Sequence, residues 1–158
     1  MPSCPPPPVS PAEHSAIVDA IHRALAARQE SGKSGIAASV LCNGQTVAKA
    51  ENEVQLHCDP TRHAEMVAIT RAAEALGTTD LKQCVMISTL QPCEMCLAAM
   101  RFAGIRRVIF AGTQGRVAGK YFAFPHLSLD DFRHGNDFDA IGGICEDLVL
   151  HLYATGEE

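Results

Sequence analysis

With 158 residues, 47% of them apolar and 20% charged, the chain has the size and composition of one globular domain able to bury its own core. Trp is absent and aromatics are only 5%, so that core must come mainly from Ala, Val, Ile and Leu. A net charge of −5 weighs against nucleic acid as a partner, because an acidic chain gains little from phosphate attraction, although a local basic patch stays open.

Seven cysteines, odd in number and irregularly spaced, do not read as a disulfide framework. No apolar run reaches the roughly 18 residues of a membrane-spanning helix. Residues 1–11 lack the basic and apolar regions of a secretion signal. A cytosolic, reduced protein without membrane contact is expected, and in such a protein a close cysteine pair more often binds metal than forms a bridge.

Residues 1–9, with Pro5-Pro6-Pro7-Pro8, read as a disordered proline-rich tail, and residues 10–158 as a single domain. Ser10-Pro11-Ala12-Glu13 predicts a helix start with Ser as N-cap, Pro at the first position and Glu closing a capping box. Ile17, Val18, Ile21 and Leu25 carry that helix to about Gln29. Ser31 to Gly35 reads as a loop; its Gly-Lys-Ser lacks the earlier glycine of a phosphate loop and follows a helix. Two strands, Ile36–Cys42 and Gln45–Ala50, flank Asn43-Gly44, a strong hairpin turn.

Asp59-Pro60 then predicts the start of a second helix, carrying Met66, Val67, Ile69 and Leu76 and stopping at Gly77. Val85–Thr89 is a third strand. Pro92 is expected to open a third helix ending at Gly104, and Val108–Ala111 to form a fourth strand. This order of elements implies a sheet with parallel connections and helices on its faces. Beyond Gly112, Phe122, Phe124 and Pro125 suggest an ordered aromatic loop, Ser128–Asp131 a short helix, and Ile144–Tyr153 a terminal helix.

Two stretches carry chemistry: His63-Ala64-Glu65 and Pro92-Cys93-Glu94-Met95-Cys96. A Cys-x-x-Cys alone reads equally well as a redox pair or half of a structural zinc site, and His-x-Glu alone says almost nothing. Together they supply one imidazole and two thiols for a tetrahedral zinc with an open fourth position, plus a carboxylate not needed as a ligand. They also match H-x-E…P-C-x-x-C, a signature of zinc nucleobase deaminases. In such a site a water becomes a nucleophile near neutral pH, and Glu65 can move protons. Both stretches fall near predicted helix starts, where the backbone favours thiolates at Cys93 and Cys96. A structural zinc would want a fourth ligand, for which His57 and Cys58 are nearest.

In Asp59–Glu65, Ser88–Cys96 and Ile105–Phe110 the sequence resembles the cytidine deaminase-like superfamily, in the branch of guanine, cytosine and tRNA-adenosine deaminases. The resemblance runs from about Glu13 to Gly112. It implies a three-layer α/β/α sandwich around a five-stranded mixed sheet, with one zinc held by His63, Cys93 and Cys96 and Glu65 as proton shuttle. It also implies substrate contacts from Asn52 and the backbone of Ala64, and a homodimer. Gly35-Ile36-Ala37-Ala38 departs from the entry to the first strand in many relatives, and the segment after Gly112 matches neither the guanine-type nor the tRNA-type pattern. An acidic Gly156-Glu157-Glu158 end contrasts with the basic end of tRNA deaminases.

The expected substrate is therefore a small aminated heterocycle, a free base or nucleoside with guanine or cytosine foremost, stacked on Phe122, Phe124 or Phe138. The alternatives are a tRNA adenosine deaminase, which would want a basic surface from Arg62, Arg101, Arg106, Arg107 and Arg116, and a non-catalytic zinc protein that binds partners.

Overall fold

The computed structural model describes residues 9–30 and 34–158. The proline-rich tail up to Pro8 and residues 31–33 of the expected loop lie outside the described residues. Helix α1 (Pro11–Ala27) starts as the sequence predicts: Glu13 N–H donates to Ser10 Oγ at 3.1 Å and Ser10 N–H donates back to Glu13 Oε1 at 2.8 Å. Its inward stripe of Ala16, Ile17, Ala20, Ile21, Ala24 and Ala27 has the spacing of one helix face.

Strand β1 (Ser34–Cys42) takes in Ser34 and Gly35, two residues ahead of the start its sequence predicts, and β2 (Gln45–Asn52) returns antiparallel to it. Asn43 and Gly44 take φ of 52° and 78°, the left-handed pair that a two-residue hairpin of this hand requires. Helix α2 (Val54–His57) is a single turn between β2 and the next helix.

Helix α3 (Ala64–Leu76) begins later than Asp59-Pro60 suggested, with His63 as its N-cap. The reason is local. Asp59 Oδ1 accepts the Thr61 N–H at 2.8 Å and hydroxyl at 2.7 Å, so the aspartate closes a turn instead of capping a helix.

Strand β3 (Cys84–Leu90) leads to α4 (Glu94–Ala103), which Cys93 caps, so Pro92 lies just outside the helix it was expected to open. Strand β4 (Arg107–Gly112) follows, then three-residue β5 (Asp139–Ile141), too short to leave a periodic signal. The expected terminal helix is divided: Cys145 at φ 55° breaks the backbone, a 3₁₀ turn covers Glu146–Leu148, and α5 spans Leu150–Tyr153.

The sheet order is β2-β1-β3-β4-β5, with β1 antiparallel to both neighbours and β3, β4 and β5 parallel. Residues 35–41 of β1 are all buried, as a strand covered on both faces must be. Helix α1 covers one face, and α3 and α4, in contact with each other, cover the other, giving the three-layer α/β/α sandwich. The carboxyl end of β3 therefore meets the starts of α3 and α4, where ligands gather in α/β folds.

Glu13 has a second task that its local sequence does not reveal. Arg107 on β4 donates to it twice, at 2.6 and 2.9 Å, tying the start of α1 to the sheet.

Candidate zinc-dependent active site

His63 and Cys93 cap α3 and α4, and Cys96 stands three residues into α4, so two helix starts bring three ligand atoms together. Cys93 Sγ lies 3.5 Å from His63 Nδ1, Cys96 Sγ lies 3.7 Å from it, and the two sulfurs are 3.8 Å apart. A tetrahedral zinc with bonds of about 2.3 Å to sulfur and about 2.0–2.1 Å to nitrogen needs edges near ~3.8 Å between sulfurs and ~3.6 Å from sulfur to nitrogen. The donor set and its spacing fit that ion.

Among the described residues this is the only such group of three His, Cys or carboxylate side chains. His57, weighed as a fourth ligand, is instead 3.2 Å from Glu53 Oε2, and Cys58 is exposed. Three protein ligands are the pattern of a site that leaves a position for substrate or water.

Protons are shared unevenly in the cluster. Cys93 is pulled down to about 4, chiefly by the Cys96 thiol that donates to it and then by His63. Cys96 is pushed up, first by that same bond and then by burial. Hydrogen bonding to Cys93 raises His63. A metal needs both sulfurs deprotonated, so its binding displaces the Cys96 proton.

Glu65, in the first turn of α3, is buried and points to the same place, with Oε2 3.6 Å from Cys96 Sγ. Burial pushes its carboxyl above the ordinary range. Ser88 on β3 lies 2.9 Å from Glu65 Oε1 and 2.7 Å from Leu90 O. One hydroxyl hydrogen cannot serve both acceptors at once: Ser88 donates to Glu65 when the carboxyl is ionised, and can accept from it while donating to Leu90 O when Glu65 carries a proton.

A cavity of about 260 Å³ opens on His63, Glu65 and Cys93, with Asn52 on its wall. Asn52 Oδ1 accepts the Val54 N–H at 3.0 Å, which fixes the amide and leaves its NH₂ as the free end. Ala64 is fully buried as the first residue of α3, where a helix leaves N–H groups without an internal partner.

The three aromatic candidates do not line the cavity. Phe138 is in the core, Phe122 is buried against the outer side of α4, and Phe124 is 54% exposed. The aromatic that reaches the cavity is Tyr121, beside Lys120 and Glu158. Reading the sequence missed all three, since nothing in their spacing links position 158 to positions 120 and 121.

The profile of the cytidine and deoxycytidylate deaminase zinc-binding region matches residues 11–112. The chain belongs to this family of zinc-dependent deaminases, hydrolases acting on C–N bonds. It is 35% identical over 105 residues to a tRNA-specific adenosine deaminase of Aquifex aeolicus, covering 66% of this chain and 70% of the relative. It is 32% identical over 116 residues to the guanine deaminase of Bacillus subtilis, covering 70% and 74%. The solved structure of a guanine deaminase from Nitrosomonas europaea superposes with a TM-score of 0.77 at 21% identity, over 95% of this chain and 86% of that one, which establishes the shared fold. No helix among the described residues is long and apolar enough to cross a membrane.

Proposed function

We propose that this protein deaminates a small aminated heterocycle, a free base or nucleoside with guanine or cytosine foremost, using one zinc per chain on His63, Cys93 and Cys96. The observation that carries this reading is the tetrahedral spacing of those three atoms beside the buried Glu65 carboxyl, which is not among the ligands. A scaffold that held zinc only to bind partners would have no use for that buried acid. Zinc bound there supplies a water acidic enough to act as nucleophile near neutral pH.

The protein's own groups do the rest. Glu65 takes a proton from the water as its oxygen attacks the ring carbon bearing the amine. It passes that proton to the adjacent ring nitrogen, then takes the remaining proton of the newly attached hydroxyl and gives it to the amine, which leaves as ammonia while a carbonyl forms. Ser88 steadies the carboxyl through each exchange. Asn52 donates from its NH₂ to an acceptor on the base, and the Ala64 N–H donates from the start of α3.

Two observations favour a small substrate over tRNA. The cavity, at about 260 Å³, lies just below the ~300–1,000 Å³ of drug-sized small-molecule sites, room for little more than one base. Of the five arginines a tRNA surface would want, Arg101 pairs with Asp137, Arg107 with Glu13, and Arg116 with Glu146. The Aquifex relative keeps the second reading, a tRNA adenosine deaminase, in view.

A screen of ammonia release over purines, pyrimidines, their nucleosides and tRNA decides between them. Turnover of a base or nucleoside is expected. Turnover confined to tRNA, with steeply salt-sensitive binding, would reverse the assignment. The same reading carries a cytosolic location and a homodimer, to which Phe102, 94% exposed on α4, would bring an apolar contact measurable as a doubled mass in solution.

A further inference from the structure

The cavity has a second polar wall, formed by residues far apart in sequence. Glu158, Lys120 and Tyr121 line it together with the three candidate catalytic residues His63, Glu65 and Cys93. The Glu158 side chain is only 12% exposed; its Oε1 lies 3.2 Å from Lys120 Nζ, and its Oε2 accepts from the Tyr121 hydroxyl.

The segment carrying it is tied down residue by residue. Lys120 Nζ donates to Gly156 O at 2.7 Å, Arg28 Nε donates to Glu157 O at 2.7 Å, and Glu157 N–H donates to Leu152 O at 2.9 Å. Gly156 has φ of 75°, and a Cβ there would stand 2.8 Å from Lys120 Cε, so a side chain would push the lysine off its seat. These bonds fix a carboxylate at the cavity wall.

We propose that Glu158, held by Lys120 and Tyr121, is a specificity-determining residue: it accepts the ring N–H that a free nucleobase carries and that a nucleoside has exchanged for its sugar. This rests on the deaminase reading above. A carboxylate has about four lone-pair positions, and Lys120 and Tyr121 use two, so acceptor capacity remains on the cavity side. Lys120 balances the charge, so the wall accepts hydrogen bonds without repelling a neutral, electron-rich ring.

Asn52 offers a donor and Glu158 an acceptor, and free cytosine and guanine each carry a ring N–H as well as carbonyl and ring-nitrogen acceptors. A sugar on that nitrogen removes the matching hydrogen and leaves a partly buried carboxylate without its partner. Discrimination by a missing hydrogen bond to a charged group is strong for that reason.

The test is calorimetric binding to the zinc-loaded Glu65→Gln chain, which removes turnover, with guanine, guanosine, cytosine and cytidine as probes. Adding Glu158→Ala should weaken binding of the base roughly ten- to a hundred-fold and leave the nucleoside unchanged, so the ratio between them collapses. Glu158→Gln, which preserves shape and one acceptor, should move the ratio the same way by less. Base and nucleoside weakening together, or neither moving, would overturn the proposal, because a merely structural role predicts no change in the ratio.

Ammonia release by the chain with Glu65 intact reports on the parent reading separately. Turnover with an unmoved ratio sinks the role of Glu158 alone. A collapsed ratio without turnover on any probe upholds Glu158 and sinks the reaction.

Discussion

The chain up to Gly112 and the chain beyond it are ordered by different means. In the first part regular elements carry their own signals: a capping box opens α1, an Asn-Gly turn joins β1 to β2, and glycines at φ of 65° and 85° close α3 and α4. In the second, short 3₁₀ turns and one three-residue strand are held by bonds reaching back to the first part. Phe124 N–H donates to Glu94, inside the Cys93–Cys96 motif, at 3.0 Å. Gln114 N–H donates to Gln91 Oε1 at 2.9 Å, and Gly143 N–H to Ala111 O at 3.0 Å. The candidate reaction centre stands on rigid helix starts, while Lys120, Tyr121 and Glu158 come from the tied-down region. Such a division lets the wall change while the chemistry is kept.

If that contrast is right, damage to the first part removes the reaction, and damage to the ties of the second loosens the wall. The largest effect is expected from His63→Ala and Cys93→Ala. Each should abolish zinc retention after dialysis and, with it, all ammonia release, measured by metal analysis beside the activity assay. A variant that keeps a full complement of zinc would remove that residue from the ligand set.

A smaller effect is expected at Glu13, which closes the capping box and receives Arg107. Arg107 keeps Asp139 at 3.5 Å, so Glu13→Gln weakens the pairing without stranding the guanidinium; it should cost about 2 kcal/mol, read as a lowered denaturant midpoint. Hydrogen bonding from Arg107 lowers the Glu13 pKa below its ordinary 4.5. Its contribution is therefore complete above that value and is lost as the pH falls through the lowered one. The acid limb of the wild-type stability profile should be steeper than that of Glu13→Gln.

Tyr153 comes next. It is fully buried and donates to Gly35 O at 2.7 Å, which leaves Thr89 Oγ1, also 2.7 Å away, as the donor to the phenol oxygen. Thr89 in turn accepts the Ala37 N–H at 3.1 Å. This chain fastens α5 to β1 and β3. Tyr153→Phe strands the Thr89 hydroxyl and should cost about 1–2 kcal/mol in chemical denaturation. It should also raise KM more than it lowers kcat, since it loosens the wall and spares the reaction centre. An equal fall in kcat at unchanged KM would break the division drawn between the two regions.

How much of this was legible beforehand follows the same division. His63, Glu65, Cys93 and Cys96 stood out because metal chemistry demands particular atoms at close spacing, and the structure gathers His63, Cys93 and Cys96 within bonding reach of one ion, with Glu65 beside them. One helix start was displaced because a side chain had a local rival use: Asp59 turned back on Thr61. The cavity wall was not legible. Aromatic residues drew attention to Phe122 and Phe124, yet the cavity receives Tyr121 because the chain between Ala118 and Phe122 turns on a 3₁₀ bend anchored by Ala118 N–H to Tyr153 O at 2.8 Å. Nor does any local pattern join Glu13 to Arg107 or Glu158 to Lys120. These pairs are made by topology.

The central claim is that Glu65 moves protons at a metal it does not hold. The direct measurement is zinc content and ammonia release on one sample of Glu65→Gln beside the wild type. One zinc per chain in both, with turnover lowered by roughly 10²–10⁴ in the variant, is the predicted result. Turnover near the wild-type rate would contradict the role of Glu65, and loss of zinc in step with loss of turnover would make it a ligand instead.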